Sequence, residues 1–592
     1  MIENELTNKY IVSKSVHSYV FLAILTIVSL GVSYVIDAII IGTFLGGDAL
    51  ASFGISEPIT LILSIFAIIF SSGGGVSYSN YAGRGEKQKI NNNFTIIFLF
   101  SLLIGAIITL FSPLYITPLT QLVGASGTLI ETTSAYIAGF FIGAIPLILF
   151  EVLLVYTRLE GVNYLEIVAG GAIIVTNIIL DILFVTVFHM GIFGIGLATA
   201  IGFTIADIIL MKKVLSKQNS LGFCKIKDIV PEIKSMTFFG LPSGLSEFYN
   251  IIRIFITNHL AMFIGGAVLM STMSILIEIN ALTFSVNLGF GAITLLLGGI
   301  FYGERDKKSL QDVLNVTLKS GVILTIILAI VIIILAPQIA TVFIQEEEIV
   351  LKTITSLRIF ALSIPLSLIT VIFLNFYNST KNSFIANYLG FARGFLFISI
   401  FAVILTPFIG EYAIWSCFTL GEIITLIGLL IIIKIKTGKF PRKLIDFILL
   451  NDDFEKDIIS TLNITIKNDM KEVMELSNKI YNFGEKYFDD ISTANKVSLC
   501  IEEMVGNIVE HGYEKDKKSK KNKTHYIDIR IIKTINHTIF RIRDDGTPFS
   551  PIDYADENEP TEKNVGIRMI QAIAENMEYR STIGLNNLTI TI

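Results

Sequence analysis

Long apolar runs dominate the first three quarters of this 592-residue chain, in which 53% of residues are hydrophobic and only 16% are charged. A helix needs about 20 mostly apolar residues to cross the hydrocarbon core of a bilayer. The chain is therefore predicted to be an α-helical membrane protein with twelve transmembrane helices. We place them near 16–41, 50–78, 92–113, 132–156, 165–188, 191–211, 237–263, 272–302, 317–340, 354–377, 384–406 and 410–435.

Charged residues are concentrated at the other end of the chain. Of the 95 Lys, Arg, Asp and Glu residues, 44 lie in 451–592, a density that is typical of a soluble domain. The sequence therefore predicts a membrane part over 1–436, a linker over 437–455 and a separate soluble domain over 456–592.

The connections between the predicted spans differ in charge. Those at 79–91, 212–236, 303–316 and 434–443 are rich in Lys and Arg, whereas the alternate ones are almost free of them. Because basic loops stay in the cytoplasm, we expect a multi-pass protein of the cytoplasmic (inner) membrane with both termini in the cytoplasm. The polar tail would then meet cytoplasmic ATP.

Other compositional features exclude several kinds of site. The three cysteines have neither metal-ligand nor disulfide spacing, and the six histidines form no cluster with them. The net charge of −5 argues against a nucleic-acid partner. The basic run KDKKSKKNK at 515–523 is interpreted as a solvated loop.

Two short stretches recur at a constant distance. YAGRGEKQK at 81–89 corresponds to FYGERDKKS at 301–309, and TRLEGVN at 157–163 corresponds to YNSTKNS at 377–383, with an offset of 220 in both cases. This repetition predicts two six-helix lobes, at about 10–215 and 230–436, in the same orientation. Repeats with a central site at their interface are typical of transporters.

Two acidic residues lie inside predicted spans, where a charge is costly and marks a candidate functional site. Asp37 lies in the first span and Asp181 in the fifth, with Asn177 one helical turn before Asp181 and Thr199 in the sixth span. Such oxygens can hold a proton or a hard cation such as sodium. The alternative is that either acid only caps a helix or pairs within the bundle.

These residues stand within longer stretches that resemble one family. VIDAIIIGTFLGGDALA, the proline-bearing fourth span with RLEGVN after it, NIILDILF and GIFGIGLATA are similar to the multidrug and toxic compound extrusion (MATE) family over about residues 10–436. The resemblance implies export of cationic, amphipathic small molecules in exchange for H⁺ or Na⁺, by alternating access between the two lobes. It assigns Asp37, Asn177, Asp181 and Thr199 to the cation-coupling site.

One position departs from a branch of that family. Where the branch has a coupling Glu in the seventh span, this chain has Asn250, with Glu247 about one turn away. A second cation site in the C-terminal lobe is therefore not expected.

The polar tail has the pattern of an α/β sandwich. LNITIKN and the final NNLTITI read as strands, THYIDIRIIKT and HTIFRIRD as paired strands, and 469–487, 491–511 and 565–577 as helices. With 142 residues from 451 onward, the tail is long enough for a core of its own.

Three pieces of the tail carry chemistry. Glu503 and Asn507 share a helix face, which places a potential proton acceptor beside a potential magnesium ligand. Asp544 ends a strand just before Gly546, where a carboxylate could accept a hydrogen bond from an adenine amino group. Gly566 opens a helix, whose free N–H groups favour phosphate. Taken singly, the three pieces are better explained as an acidic surface helix, a turn and a helix start.

Their order and surroundings resemble a known fold. EEMVGNIVEHGY, RDDGTPFSP, NVGIRMIQAIAENMEY and NNLTI look like the GHKL (Bergerat-type) ATP-binding fold, particularly anti-sigma-factor serine kinases, from about 460 to 592. The resemblance implies Mg-ATP as cofactor and an anti-anti-sigma-like protein as partner. Glu503 would be the catalytic base, Asn507 the metal ligand, Asp544 the adenine-binding residue, Gly546 and Gly566 further ATP-binding positions, and 547–565 the lid. Pro548 and Asn564 replace glycines of that pattern.

These observations together predict an ion-coupled exporter in the lipid bilayer with a fused ATP-binding domain that regulates it or phosphorylates a serine of a partner. The alternative is a membrane-anchored signalling serine kinase whose transporter-like half senses a ligand. A module that binds ATP without catalysis is a third possibility.

Overall fold

The structure is a computed structural model that describes residues 10–83, 87–159, 164–214, 221–450, 454–488, 490–513, 525–557, 565–582 and 585–592. Eighteen α-helices are defined within these ranges. They are α1 (Tyr10–Phe44), α2 (Gly47–Gly83), α3 (Lys87–Leu122), α4 (Leu129–Phe141), α5 (Ala144–Leu159), α6 (Tyr164–Ile182), α7 (Gly191–Val214), α8 (Ile229–Gly303), α9 (Lys307–Phe343), α10 (Glu347–Phe360), α11 (Ser363–Ser379), α12 (Ser383–Phe391), α13 (Phe397–Ile409), α14 (Glu411–Thr437), α15 (Met470–Tyr487), α16 (Ile491–His511), α17 (Pro551–Glu557) and α18 (Val565–Ile573).

Five strands are defined within the same ranges, all of them after the last membrane helix, α14. They are β1 (Ile458–Lys467), β2 (Tyr526–Thr534), β3 (Thr538–Asp544), β4 (Asn576–Thr582) and β5 (Leu585–Thr591). Short π-helical turns occupy Leu183–Val187 and Ala392–Leu396, and a 3₁₀ turn occupies Leu444–Phe447. The chain divides into two compact units, which we call the membrane unit (22–295 and 318–442) and the C-terminal unit (up to residue 21, 296–317 and 443–592).

Eight helices among the described residues are long and apolar enough to cross a membrane, or ten when each of two bent helix pairs counts as one span. The long helix α8 contains both the seventh and the eighth predicted spans, which meet at Gly266, where φ is +57°. The first predicted span falls within α1, whose segment Val32–Phe44 is a shorter apolar helix. The multi-pass helical architecture is confirmed, while the number twelve is not fully confirmed.

The fourth and tenth predicted spans are each broken into two helices. The axis bends by 51° between α4 and α5 and by 44° between α10 and α11. Each break precedes a proline, Pro146 or Pro365, which has no N–H to donate to the carbonyl four residues earlier. The helices that follow the two breaks begin 219 positions apart, at Ala144 and Ser363, close to the offset of 220 found in the sequence repeat.

The membrane unit buries polar as well as apolar side chains. Its largest apolar cluster joins residues of both sequence halves, from Ala38 in α1 to Phe418 in α14. Many large apolar side chains also stay exposed, such as Leu110, Phe263 and Ile334, and a lipid-facing surface needs such side chains because the bilayer core is itself apolar.

The C-terminal unit contains an antiparallel five-stranded sheet in the order β1-β2-β3-β5-β4. Alternate strand residues, such as Ile464, Ile529 and Ile542, join the core formed with α15, α16 and α18. Asp469 and Asp490 begin α15 and α16 by accepting backbone N–H groups from Lys471 (3.0 Å) and Thr493 (2.5 Å). The predicted α/β sandwich is confirmed.

The helix predicted over 565–577 is wrong in its second half. Helix α18 ends at Ile573, and 576–582 form strand β4, which pairs with β5 from Asn576 to Thr582. Pairing with β5 satisfies the backbone groups of β4, and helical periodicity in the sequence could not reveal it. The basic run at 515–523 lies outside the described residues.

Candidate functional site

Asp37, Asn177, Asp181 and Thr199 come together inside the membrane unit, carried by α1, α6 and α7. The amide of Asn177 donates to Asp37 Oδ1 over 2.9 Å and approaches the Thr199 hydroxyl at 3.3 Å. That hydroxyl lies 3.3 Å from Asp37 Oδ2 and 3.1 Å from the carbonyl of Ile195. Asp181 lies near enough to Asp37 for the two carboxyl groups to interact electrostatically.

All four side chains are buried, the three residues other than Thr199 completely so. Among the described residues, no donor reaches either carboxylate oxygen of Asp181 or Oδ1 of Asn177. A buried oxygen without a partner is costly, and two adjacent carboxylates repel each other when both are charged. Oxygens placed in this way can share a proton or hold a hard cation. We call these four residues the acid cluster.

Sequence reasoning missed other buried ionisable residues of the membrane unit. Asp207, Glu278 and Glu422 are each less than a tenth exposed, and Glu57 is half-buried. All of them lie inside the predicted spans, so the rule that selected Asp37 would have selected them as well.

Two arginines of the C-terminal half of the membrane unit bind polar partners. Arg393 forms an ion pair with Glu422 at 2.9 Å and donates to Ser367 Oγ over 2.7 Å. At the departing position, Asn250 donates to Glu247 over 3.3 Å and accepts a hydrogen bond from Arg253. A guanidinium in contact with Asn250 is unfavourable for a second cation there.

In the C-terminal unit, the predicted motifs converge on helix α16. A Cβ atom on Gly566 would lie only 2.5 Å from Glu503 Oε2, so the start of α18 approaches the Glu503 side chain closely. At the other end of α16, the Gly512 carbonyl accepts the N–H of Thr547 over 2.8 Å. A Cβ on Gly546 would stand 2.7 Å from the same carbonyl, so this approach requires glycine.

Asp544 is held by Gly546 and by a second residue, Asn586, to which the sequence assigned no role. Its Oδ1 accepts hydrogen bonds from Asn586 (2.9 Å) and from the N–H of Gly546 (2.8 Å). Asn586 in turn accepts from the Tyr579 hydroxyl over 3.0 Å. Burial raises the pKa of Asp544 to about 6, while the two hydrogen bonds to its carboxylate lower it. Tyr579 lies in the strand β4 that was not predicted, which explains why this support was missed.

Glu503 and Asn507 are half-buried and one helical turn apart on α16. Mg²⁺ commonly takes one or two protein oxygens and completes its shell with water and substrate phosphates. The Asn507 amide therefore suits a magnesium ion that arrives with a nucleotide. Of the predicted lid, 551–557 form α17, whereas Asn564 lies outside the described residues.

These observations define the class of protein: a multi-pass membrane protein with a repeated helical architecture, joined to a domain with a GHKL-type ATPase fold. The MatE family profile matches residues 23–183 and 242–404, and a profile described as histidine kinase-like ATPase domain matches 471–592. The chain belongs to the MatE family, the multidrug and toxic compound extrusion transporters, and carries a C-terminal histidine kinase-like ATPase domain.

Curated relatives match the membrane part of the chain. Multidrug export protein MepA of Staphylococcus saprophyticus is 24% identical over 401 residues, which are 66% of this chain and 86% of that protein. A probable multidrug resistance protein, NorM of Photorhabdus laumondii, is 21% identical over 380 residues, which are 62% and 82% of the two chains.

Solved structures show the same fold. An inward-facing multidrug resistance MATE family transporter superposes with a TM-score of 0.62 at 22% identity, covering 69% of this chain and 96% of that chain. An outward-facing MATE family transporter gives 0.58 at 20% identity, covering 70% and 94%. The predicted fold class is thus confirmed for the membrane part of the chain.

Proposed function

We propose that this protein exports cationic or amphipathic small molecules across the cytoplasmic membrane in exchange for H⁺ or Na⁺. The observation that carries the proposal is the acid cluster, whose buried oxygens meet no cationic side chain among the described residues. The names of the curated relatives, multidrug export and multidrug resistance proteins, support the substrate class. The distribution of basic loops supports cytoplasmic termini.

In this proposal, Asp37, Asn177, Asp181 and Thr199 bind the coupling ion. Binding of a proton or sodium ion neutralises the acid cluster, alters the packing of α1 against α6 and α7, and disfavours a cationic substrate in that lobe. The coupling is reciprocal, so the substrate must equally weaken ion binding.

We further propose that the C-terminal domain binds Mg-ATP and regulates export. Asp544 would accept a hydrogen bond from adenine, the N-terminal turn of α18 at Gly566 would face phosphate, and Asn507 would hold the magnesium ion. Glu503 is the candidate base for any phosphotransfer. A role as a signalling kinase with a ligand-sensing membrane half is not favoured, since MepA and NorM, which align with that half, are named for export and resistance. An anti-anti-sigma-like partner has no support in the comparisons.

The transport proposal is tested in proteoliposomes that contain the full chain and ethidium as the probe cation. We expect an imposed proton or sodium gradient to drive ethidium movement in the parent and not in Asp37→Asn. Asp207→Asn is the matched control, because it neutralises a buried acid of the same helix bundle outside the acid cluster. Gradient-driven movement in Asp37→Asn at the parental rate would refute the assignment.

The nucleotide proposal is tested separately by equilibrium binding of a fluorescent Mg-ATP analogue to the full chain. We expect binding in the parent and its loss in Asp544→Ala. Glu503→Gln is expected to keep binding and to abolish any phosphotransfer, whereas its exposed neighbour variant Glu502→Gln retains both. Absence of nucleotide binding in the parent would end this part of the proposal and leave the transport part untouched.

A further inference from the structure

Three arginines stand on the face of the C-terminal sheet that points away from its apolar core. Arg530 lies on β2, and Arg541 and Arg543 lie on β3. Arg530 is directly opposite Arg541 in the antiparallel register. Like charges opposite each other destabilise a strand pair, so this set, which we call the arginine face, needs an acidic partner.

The partner is supplied by the turn between α8 and α9, which belongs to the same compact unit. We call Glu304–Asp306 the acidic turn. Arg543 forms ion pairs with the carboxylate of Glu304 and, at 3.0 Å, with Asp306. Arg530 pairs with the other oxygen of Asp306.

The backbone of the acidic turn is also bound. Arg530 donates to the carbonyl of Arg305 over 2.6 Å, and Arg541 donates to the carbonyl of Glu304. Guanidinium groups have planar arrays of donors that can bind several acceptors at once, and here they bind side-chain and main-chain oxygens of one turn. Such combined contacts fix both the position and the orientation of the turn.

Burial distinguishes this contact from a surface ion pair. Arg543 is 5% exposed, Glu304 8% and Asp306 3%. Burial alone would raise the pKa of Asp306, but Arg530 and Arg543 outweigh it and hold that pKa well below its ordinary range. The ring of Phe301 lies 4.7 Å from the Arg543 guanidinium and covers it from one side. The contact is therefore desolvated.

The residues that bind the acidic turn alternate along the strands with the residues that hold Asp544. Along β3, Arg543 precedes Asp544, and along β5, Asn587 follows Asn586. Asn587 donates to Glu304, while Asn586 donates to Asp544. Because neighbouring strand residues point to opposite faces, the same two strand ends present the acidic turn on one face and the candidate adenine contact on the other.

A second contact lies one residue further along. Asp545 forms an ion pair with Lys14 of α1 and accepts a hydrogen bond from the Tyr513 hydroxyl at 3.1 Å. Helix α1 continues to Phe44 and includes Asp37. The turn that carries the candidate adenine-binding residue thus also contacts the first helix of the chain.

From these contacts we propose that the acidic turn and Lys14 form an intramolecular docking surface through which nucleotide bound at Asp544 changes the rate of export. The inference rests on the proposed nucleotide site. A nucleotide that draws Asp544 and Asn586 toward its base shifts the ends of β3 and β5, which displaces Arg543 and Asn587 on the opposite face. The acidic turn between α8 and α9 and the start of α1 then move with them.

The test uses the full chain in proteoliposomes with the non-hydrolysable analogue Mg-AMP-PNP on the outside. Only transporters whose C-terminal domain faces outward can bind the analogue. Binding of the analogue and uptake of ethidium into the vesicles, which is the export direction for these transporters, are measured for each variant. The docking variant is Glu304→Gln/Asp306→Asn. The matched control is Glu347→Gln/Glu348→Gln, which neutralises two exposed acids at the start of α10.

We expect the analogue to change the ethidium rate in the parent and in the control, and this change to shrink at least fivefold in the docking variant, the lower end of ordinary coupling between two sites. The docking variant should still bind the analogue. Lys14→Gln should lose part of the change. A full nucleotide effect in the docking variant would overturn the inference.

The two proposals fail in distinguishable ways. If the parent binds no analogue, the nucleotide site itself is wrong and this inference falls with it. If the parent binds the analogue and the ethidium rate does not respond, the nucleotide site stands, whereas the proposed regulation of export and this inference are both overturned.

A measurement on the unmodified chain covers the case in which the docking variant does not fold. Amide hydrogen exchange of 304–309 should change at least about fivefold when the analogue binds, and that of 347–350 should not. Unchanged exchange at 304–309 would overturn the inference.

Discussion

Buried charge occurs in two regions of this protein, and the two regions neutralise it in opposite ways. In the acidic turn of the C-terminal unit, Glu304 and Asp306 each form an ion pair with a guanidinium group. In the acid cluster of the membrane unit, Asp37 accepts hydrogen bonds from an amide and a hydroxyl, and no donor among the described residues reaches Asp181. The first region carries its counter-charge within the fold, whereas the second has no cationic side chain among the described residues.

This difference separates a structural role from a transport role. A buried ion pair is costly to break, because removal of one partner leaves an uncompensated charge. Acids without a cationic partner inside a membrane protein are instead typical of ion pathways, where the missing charge is the transported ion. Pairing within the fold, rather than burial alone, is therefore the informative property.

The largest expected effect on transport comes from removing the unpaired charge. Asp181→Asn should lower ion-driven ethidium transport by about 100-fold, near the upper end of coupling between two ligands, because its amide no longer takes up the coupling ion. The variant should unfold at the same temperature as the parent or higher, since a desolvated acid is lost. Transport rate and unfolding temperature are measured on one preparation. A large fall in unfolding temperature would show that Asp181 is structural, and would remove the contrast between the two regions.

In the acidic turn we expect the reverse, a loss of stability when one charge is removed. Arg543→Met should destabilise the C-terminal unit by about 3–5 kcal/mol, the range for a buried pair that loses one partner. The double variant Arg543→Met/Glu304→Gln should recover much of that loss, because Asp306 keeps Arg530 and the uncompensated charge of Glu304 is gone. Pulse proteolysis of the full chain in urea reports both values. Equal instability of the single and double variants would mean that packing of Arg543 against Phe301, and not charge, is what matters.

Sequence reasoning located the acid cluster because hydropathy isolates the spans and any acid within them is conspicuous. The same rule would also have selected Glu57, Asp207 and Glu278, and nothing local distinguishes those acids from Asp37 without the family resemblance. What the sequence could not provide is the spatial arrangement. Asn177 and Asp181 share a helix face, but their approach to Asp37 crosses 140 positions of sequence.

The C-terminal domain shows where local patterns stop being informative. The bounds of α16, 491–511, were predicted correctly, since its amphipathic pattern is long and Asp490 precedes it. Strand β4 was missed because a short segment with mixed polar and apolar residues fits either period, and its pairing with β5 decides the outcome. The alternation of IDIRI and IFRIRD is visible in the sequence, but Arg543 meets Glu304 across 239 positions.

Asp544 offers an intermediate effect that sharpens the comparison. It is a buried acid of the C-terminal unit without a cationic partner among the described side chains, and burial raises its pKa to about 6. If adenine binds the ionised carboxylate, lowering the pH from 7.5 to 5 should weaken Mg-AMP-PNP binding about tenfold, since one pH unit below the pKa about nine tenths of the group is protonated. Affinity would fall as the pH falls through 6.

The control for this measurement is Asp544→Asn, which has no proton to gain and should bind weakly at every pH. Binding titrations of both proteins between pH 5 and 8 give the comparison. A parental affinity that does not vary with pH would mean that Asp544 does not accept the adenine hydrogen bond as a carboxylate. Asp544 would then resemble the paired acids of the acidic turn more than those of the acid cluster.

The smallest expected effect concerns Gly566, where close approach rather than charge is at issue. Gly566→Ala would place a Cβ 2.5 Å from Glu503 Oε2, and the half-buried Glu503 side chain must move to another conformation, at a cost of about 0.5–1.5 kcal/mol. Analogue affinity should fall by a factor of roughly two to ten, while stability changes little because alanine favours the helix. In Glu503→Ala/Gly566→Ala the collision is removed, so the double variant should bind as well as Glu503→Ala alone. The contrary outcome is a double variant that binds as poorly as Gly566→Ala, while Glu503→Ala alone binds normally. It would show that the phosphate, and not Glu503, requires glycine at this position. This part of the pocket would then be formed by backbone N–H groups alone.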